Sequence, residues 1–135
     1  MEISVDVIEL IKQCFENRIN ESGGILGGYE DKVTTFFFDR ECLGDEYIPD
    51  VIKLNKIIKE WNRQDIFFMG IIHSHKDNEN LSYVDVEYAR KIISINKLKS
   101  IHMALYISNK KKIIDYVVEM ADVIKTEIHE KKYGG

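Results

Sequence analysis

The sequence predicts an α/β fold in which a central β-sheet is flanked by helices. Apolar residues recur at helical spacing in three segments of the chain, and β-branched or aromatic runs lie between them. One run, residues 66–72, is apolar on both alternating faces, which is typical of a central strand covered on each side. A chain of 135 residues that is 44% hydrophobic and 31% charged fits one folded domain, residues 1–135.

The first half of the chain predicts a helix, a hairpin and a second helix. The apolar stripe of residues 5–19 indicates an amphipathic helix. The glycine-containing segment that follows terminates this helix. Residues 25–29 and 33–38 then pair as a hairpin, because the first is glycine-rich and the second is β-branched and aromatic. Residues 39–47 are predicted as a polar loop, and helical spacing resumes from about residue 49 to residue 62.

The second half begins with the central strand, which runs directly into His73-Ser74-His75. The same periodicities predict the rest of the chain. The remaining elements are a polar loop at residues 76–81, a helix at residues 83–96, strands at residues 103–107 and 113–118, and a last edge strand at residues 123–128.

Charge and cysteine content exclude several classes of function. A formal net charge of -4 and an isoelectric point near 5.6 provide no basic surface for phosphate backbones, so we expect no nucleic-acid partner. No stretch approaches the apolar length of a membrane span, and the acidic N-terminal segment lacks the pattern of a signal peptide. Cys14 and Cys42 do not form a disulfide scaffold, so we expect a reducing, cytoplasmic location.

Two histidines at the end of the central strand are candidate metal ligands. Residues at i and i+2 of a strand project to the same face, so the imidazoles of His73 and His75 can reach one ion. Asp85, one turn into the following helix, can supply the third ligand. Water would then occupy the fourth position of a tetrahedral zinc site, the arrangement typical of catalytic zinc.

Glu21 and Ser82 are the candidates for the general base and the oxyanion donor. Glu21 lies beside a glycine pair, where its carboxylate can lean over the strand edge, and Ser82 precedes Asp85 by three residues. Both motifs also have a structural interpretation. The Ser82-x-x-Asp85 segment has the pattern of a capping box at a helix start, and an isolated histidine pair at a strand end is often solvated.

In combination these segments resemble the JAMM metalloproteases of the MPN fold, in particular their small prokaryotic members. The family pattern is a glutamate ahead of a glycine-rich strand, then H-x-H, a loop and S-x-x-D. The matching segments are Glu21-Ser22-Gly23-Gly24-Ile25-Leu26-Gly27, His73-Ser74-His75 and Ser82-Tyr83-Val84-Asp85. The chain departs from the family in two ways: six residues instead of the usual seven separate His75 from Ser82, and Lys76 replaces the common proline.

The resemblance implies a cytidine-deaminase-like MPN domain with a central mixed sheet, and a zinc-dependent peptidase or isopeptidase activity. In that scheme His73, His75 and Asp85 bind Zn²⁺, Glu21 carries a proton from water to the leaving amine, and Ser82 stabilises the oxyanion. The implied substrate is a ubiquitin-like protein or its conjugate, cleaved after its C-terminal glycine in a bacterial, for example antiphage, pathway. Processing of a sulfur-carrier protein is a close alternative.

Other interpretations remain open at this point. A non-catalytic MPN domain can act as an interaction scaffold, but such members lose ligands that this chain keeps; the DNA-linked RadC-like branch conflicts with the acidic composition. The sequence ends in Gly134-Gly135, as ubiquitin-like modifiers do, although glycines at a terminus need no function. We expect His102 and His129 to be structural or solvated.

Overall fold

An eight-stranded mixed sheet with three helices forms the framework, described by a computed structural model over residues 1–44 and 46–132. The elements are β1 (Glu2–Ser4), α1 (Val5–Phe15), β2 (Ser22–Tyr29), β3 (Lys32–Glu41), α2 (Val51–Arg63), β4 (Phe67–His75), α3 (Tyr83–Asn96), β5 (Ser100–Ile107), β6 (Lys112–Glu119), β7 (Val123–Thr126) and β8 (His129–Lys131). None of the described helices has the length and apolar character of a membrane-spanning segment. The Gly134-Gly135 pair lies outside the described residues.

The strand order across the sheet is β7-β6-β5-β4-β2-β3-β1-β8. The strand β4 pairs antiparallel with β2 and parallel with β5, which confirms the predicted α/β class with a central mixed sheet. The two edge strands, β7 and β8, are separated in the chain only by residues 127 and 128, so the sheet curls until its edges approach. Near this closure Asp115 Oδ2 lies 2.8 Å from His102 Nδ1 and accepts a hydrogen bond from Thr126, which gives His102 a structural partner.

Several predicted boundaries are wrong. The predicted loop over residues 39–47 begins later, since β3 continues to Glu41, and the predicted strand over residues 123–128 ends at Thr126. The sequence periodicity also fails to predict β1 and β8, because three residues are too few for alternation to be visible.

The first helix is shorter than its predicted extent of residues 5–19. It ends at Phe15, because Glu16 has an extended backbone and Asn17 adopts a left-handed conformation with φ of 61°. Asparagine tolerates this conformation better than most residues, so it ends the helix at a position that apolar spacing alone does not mark. Ile19 is consequently 77% exposed and does not belong to the buried stripe.

The sheet has an apolar core on each face. The core on the α1 side includes Ile72 of β4, whereas the core under α2 and α3 includes Ile71. Since successive side chains of a strand point to opposite faces, His73 and His75 follow Ile71 onto the α2 and α3 side. The fold thus directs both histidines to one face, at the end of a buried strand.

Candidate metal centre

His73 and His75 lie side by side at the end of β4. Their ring centroids are 4.9 Å apart with the planes at 69°, and His73 is only 2% exposed. His73 pairs with Gly23 of β2 on one side and with Leu105 of β5 on the other, so the backbone at this point is held in the interior of the sheet. The two imidazoles are therefore placed by rigid elements and not by a loop.

Glu21 lies immediately before β2 and reaches both histidines. Its Oε1 is 2.9 Å from His73 Nδ1, and its Oε2 is 3.9 Å from His75 Nε2. One ligand atom from each of these three residues can be chosen so that all lie within 4.8 Å of one another. Glu21, which the sequence analysis assigned as the base, thus stands as close to the histidines as a third ligand would.

Asp85 reaches the same histidines from the first turn of α3. Its Oδ1 lies 3.2 Å from His73 Nε2, and its Oδ2 lies 3.9 Å from His75 Nε2. Burial on its own would raise the pKa of Asp85, but the neighbouring His73 and the hydrogen bonds with Ser82 outweigh it and lower the pKa. Asp85 is therefore an anion beside the two imidazoles at neutral pH.

Ser82 is the N-cap of α3. Its Oγ accepts a hydrogen bond from the Asp85 N–H at 3.1 Å, and its own N–H donates to Asp85 Oδ2 at 2.9 Å, which completes a capping box. The capping interpretation of the sequence is therefore correct, and the same box turns the Asp85 carboxylate toward the histidines. Ser82 also lines the pocket in front of His75.

The hydrogen bonds and carboxylates around the two histidines differ. His75 Nδ1 is 2.8 Å from the backbone carbonyl of Asn78, which can only accept, so Nδ1 donates this bond and Nε2 faces Glu21 and Asp85. Burial would lower the pKa of His73, but the carboxylates of Asp85 and Glu21 outweigh it and raise the pKa to about 9. A metal ion would take the place of that proton.

The donor set meets a simple test of fit. Both ring nitrogens of His73 are buried and lack an aligned hydrogen bond, although carboxylate oxygens lie 2.9 Å and 3.2 Å away. Ligand atoms of a tetrahedral zinc site are about 3.4 Å apart, given bonds of about 2.0–2.1 Å. The separations of 3.2 Å and 3.9 Å between Asp85 and the Nε2 atoms bracket that value. The residues present therefore fit a small divalent ion.

Tyr47, in the segment between β3 and α2, is a member of this site that the sequence analysis missed. Its backbone N–H donates to Glu21 Oε1 at 3.0 Å, and its ring stacks on that of His73 at 6.3 Å and 23°. The sequence signal is weak, since Tyr47 is one aromatic residue at the end of a segment predicted as a polar loop. Its role depends on a chain path that periodicity does not describe.

An open pocket of about 610 Å³ leads to the site and is lined by Glu21, His75 and Ser82, among others. The loop after His75 forms part of the pocket wall and is fixed to the turn between β5 and β6. The backbone N–H groups of Ser108 and Asn109 donate to the carbonyls of His75 and Lys76, at 2.8 Å and 3.0 Å. These bonds anchor the end of β4 and the loop that follows it.

Glu79 adds a side-chain anchor to the same loop. It forms ion pairs with Lys110 and Lys112, and these two lysines lower the pKa of its carboxyl to about 2. The Tyr116 hydroxyl also donates to the Glu79 carbonyl at 2.6 Å. Both the backbone and the side chains of β6 and its preceding turn thus hold the loop in place.

The chain has the α/β fold of JAB1/MPN domains. It is similar to the crystal structure of a JAB1/MPN domain protein from Archaeoglobus fulgidus, with a TM-score of 0.61, 15% identity and 97% of each chain covered. It is also similar to the solution structure of a protein from Desulfitobacterium hafniense, with a TM-score of 0.72, 16% identity, and 97% of this chain and 92% of that one covered. No family model matches the sequence, and no curated protein matches it. At these identities the likeness is one of fold.

Proposed function

We propose that this protein is a zinc-dependent peptidase or isopeptidase that cleaves after the C-terminal glycine of a ubiquitin-like protein. The observation that carries the proposal is the convergence of His73, His75, Asp85 and Glu21. Two of them, His75 and Glu21, line an open pocket. The MPN-like fold supports the same conclusion, because it holds His73 on a strand in the interior of the sheet. A cytoplasmic, bacterial ubiquitin-like pathway is part of the proposal.

His73, His75 and Asp85 would hold the zinc ion, and Glu21 would act as the base. Bound zinc would supply Lewis acidity and lower the pKa of a water molecule to about 7. Glu21 Oε1 already accepts from the Tyr47 N–H and faces His73, which leaves Oε2 to take up a proton. Glu21 would then deliver this proton to the amine as the carbon–nitrogen bond breaks, while the water oxygen remains on the glycine carboxylate.

Ser82 would stabilise the carbonyl oxygen of the scissile bond. Its Oγ is an acceptor in the capping box, so its own hydrogen is available for donation to a substrate. The pocket lining combines small residues, among them Gly44 and Ser74, with larger ones such as Phe15.

The test is the cleavage of a bacterial ubiquitin-like protein fused through its C-terminal Gly-Gly to a fluorescent protein. We expect the zinc-loaded wild type to release the reporter after the second glycine. Because a positioned base contributes about 100-fold or more, Glu21→Gln should lower kcat/KM by at least that factor. Glu9→Gln, which changes an exposed glutamate of α1, is the matched control and should behave as wild type.

A parallel fusion of a sulfur-carrier protein distinguishes the substrates. Preferred cleavage of that fusion would assign the enzyme to sulfur-carrier processing. If the wild type holds zinc but cleaves neither fusion, the proposal fails and a scaffold role replaces it.

A further inference from the structure

Tyr47 links the candidate metal centre to a buried acid outside it. On one side its backbone N–H donates to Glu21 Oε1, and its ring stacks on His73. On the other side its hydroxyl donates to Asp39 Oδ2 at 2.5 Å. Tyr47 is only 8% exposed, although Glu46 and Ile48 on either side of it are exposed.

Asp39 is a fixed anchor for the tyrosine hydroxyl. Its side chain is fully buried, its Oδ1 lies 2.8 Å from Lys53 Nζ, and its Oδ2 also accepts from the Asp50 N–H at 3.0 Å. Burial would raise the pKa of Asp39, but the bonds from Lys53, Tyr47 and Asp50 outweigh it and lower the pKa. Asp39 is therefore ionised at neutral pH and accepts strongly from Tyr47.

The position of the ring requires a glycine beneath it. A Cβ atom on Gly23 would lie 2.4 Å from Cδ2 of Tyr47, so only glycine allows the ring to lie flat on β2. Gly23 pairs with His73 in the sheet, so a ring over Gly23 lies next to the imidazole of this histidine. Three contacts of different kinds, a hydrogen bond, a stacked ring and a close backbone approach, thus converge on Tyr47.

We propose that Tyr47 is a positioning residue that fixes the carboxylate of Glu21 and the imidazole of His73 from the Asp39 anchor. With Oε1 held by the Tyr47 N–H, the carboxylate is restricted to orientations in which Oε2 faces His75. Misplacing a reacting group by about 1 Å can lower the rate about 100-fold. The effect of Tyr47 on catalysis rests on the proposed function. Its effect on the orientation of Glu21 and His73 rests on the geometry alone.

The test compares Tyr47→Phe with Tyr29→Phe, a change at a tyrosine that is 46% exposed and lies at the far end of β2. Tyr47→Phe keeps the ring and the backbone N–H but removes the bond to Asp39. We expect kcat on the fusion substrate to fall about 10-fold with KM unchanged within about twofold, since orientation and not binding is lost. Asp39→Asn weakens the same Tyr47–Asp39 hydrogen bond on its acceptor side and should also lower kcat.

A spectroscopic measurement on the metal-free protein makes the inference independent of activity. The carboxyl ¹³C signal of Glu21 and the ring ¹⁵N signals of His73 should shift in Tyr47→Phe but stay in place in Tyr29→Phe. Unshifted signals, or wild-type kcat in both Tyr47→Phe and Asp39→Asn, would overturn the inference. An inactive wild type with shifted signals would remove the proposed hydrolase function and leave the positioning role of Tyr47 intact.

Discussion

Two polar groups at the centre, His75 and Glu21, are each oriented by a backbone group of another residue. The Asn78 carbonyl accepts from Nδ1 of His75 and so directs Nε2 into the site, while the Tyr47 N–H holds one oxygen of Glu21. Partners of this kind fix the tautomer of a histidine ligand and the angle of a carboxylate. The chemistry of the site thus depends on residues that would touch neither metal nor substrate.

A prediction at this scale concerns Asp39. Its pKa is lowered from the ordinary value of 3.8, so its interactions stabilise the fold above that pH and are lost as the pH falls through the lower, folded value. Asp39→Asn should therefore reduce the free energy of unfolding at pH 7 by about 1–3 kcal/mol. The deficit relative to wild type should shrink at a pH below 3.8, as measured by urea unfolding.

The control for this experiment is Asp122→Asn, since Asp122 is exposed and its side chain has no comparable partners among the described hydrogen bonds and ion pairs. It should leave the stability nearly unchanged at both pH values. An equal deficit of Asp39→Asn at neutral and acid pH would contradict a charge-dependent role of this carboxylate.

At the scale of elements, the start of α3 serves both the helix and the site. Ser82 and Asp85 satisfy each other's backbone N–H groups, and the same Asp85 carboxylate faces both histidines. Spacing and cap residue together made this helix predictable, and its observed bounds, Tyr83–Asn96, agree with the prediction. The C-terminus of α1 was not predictable in this way, because a left-handed Asn17 and not a glycine or proline ends it.

The variant Ser82→Ala tests this double role, and Asp50→Ala is its control. Asp50 caps α2 through the Lys53 N–H, so each variant removes one capping bond and should lower the free energy of unfolding by about 1 kcal/mol. Only Ser82→Ala should also weaken zinc binding, by about 10-fold, because it loosens the segment that carries Asp85. Competition with a chromophoric chelator measures this affinity. An equal loss of zinc affinity in both variants would show that the cap does not position Asp85.

At the scale of the whole molecule, the topology gathers residues from distant parts of the chain. Glu21 precedes β2, the histidines end β4 and Asp85 opens α3, and the pairing of β2 with β4 brings the first two together. The sequence predicted this gathering, because a combination of three short motifs is far more specific than any one of them. It could not predict Tyr47, whose contacts arise only when the segment after β3 folds back over Gly23.

The curled sheet explains the remaining errors in the sequence analysis. The strands β1 and β8 are short and pair with each other at one edge, so their formation depends on closure of the sheet and not on local pattern. Long-range pairing of this kind leaves little trace in composition or periodicity. The central strand, in contrast, is covered on both faces and was evident from its apolar run.

The most direct test of the central claim is the metal content of the protein, purified without chelator and measured by elemental analysis. We predict about one zinc ion per chain in the wild type and in Glu21→Gln, because two histidines and Asp85 complete the ligand set. His75→Ala should lose the metal, whereas the control His129→Ala, which changes a histidine that is 65% exposed, should keep it. A wild-type protein that binds no zinc even after its addition, or a His75→Ala variant that binds it equally well, would contradict the account.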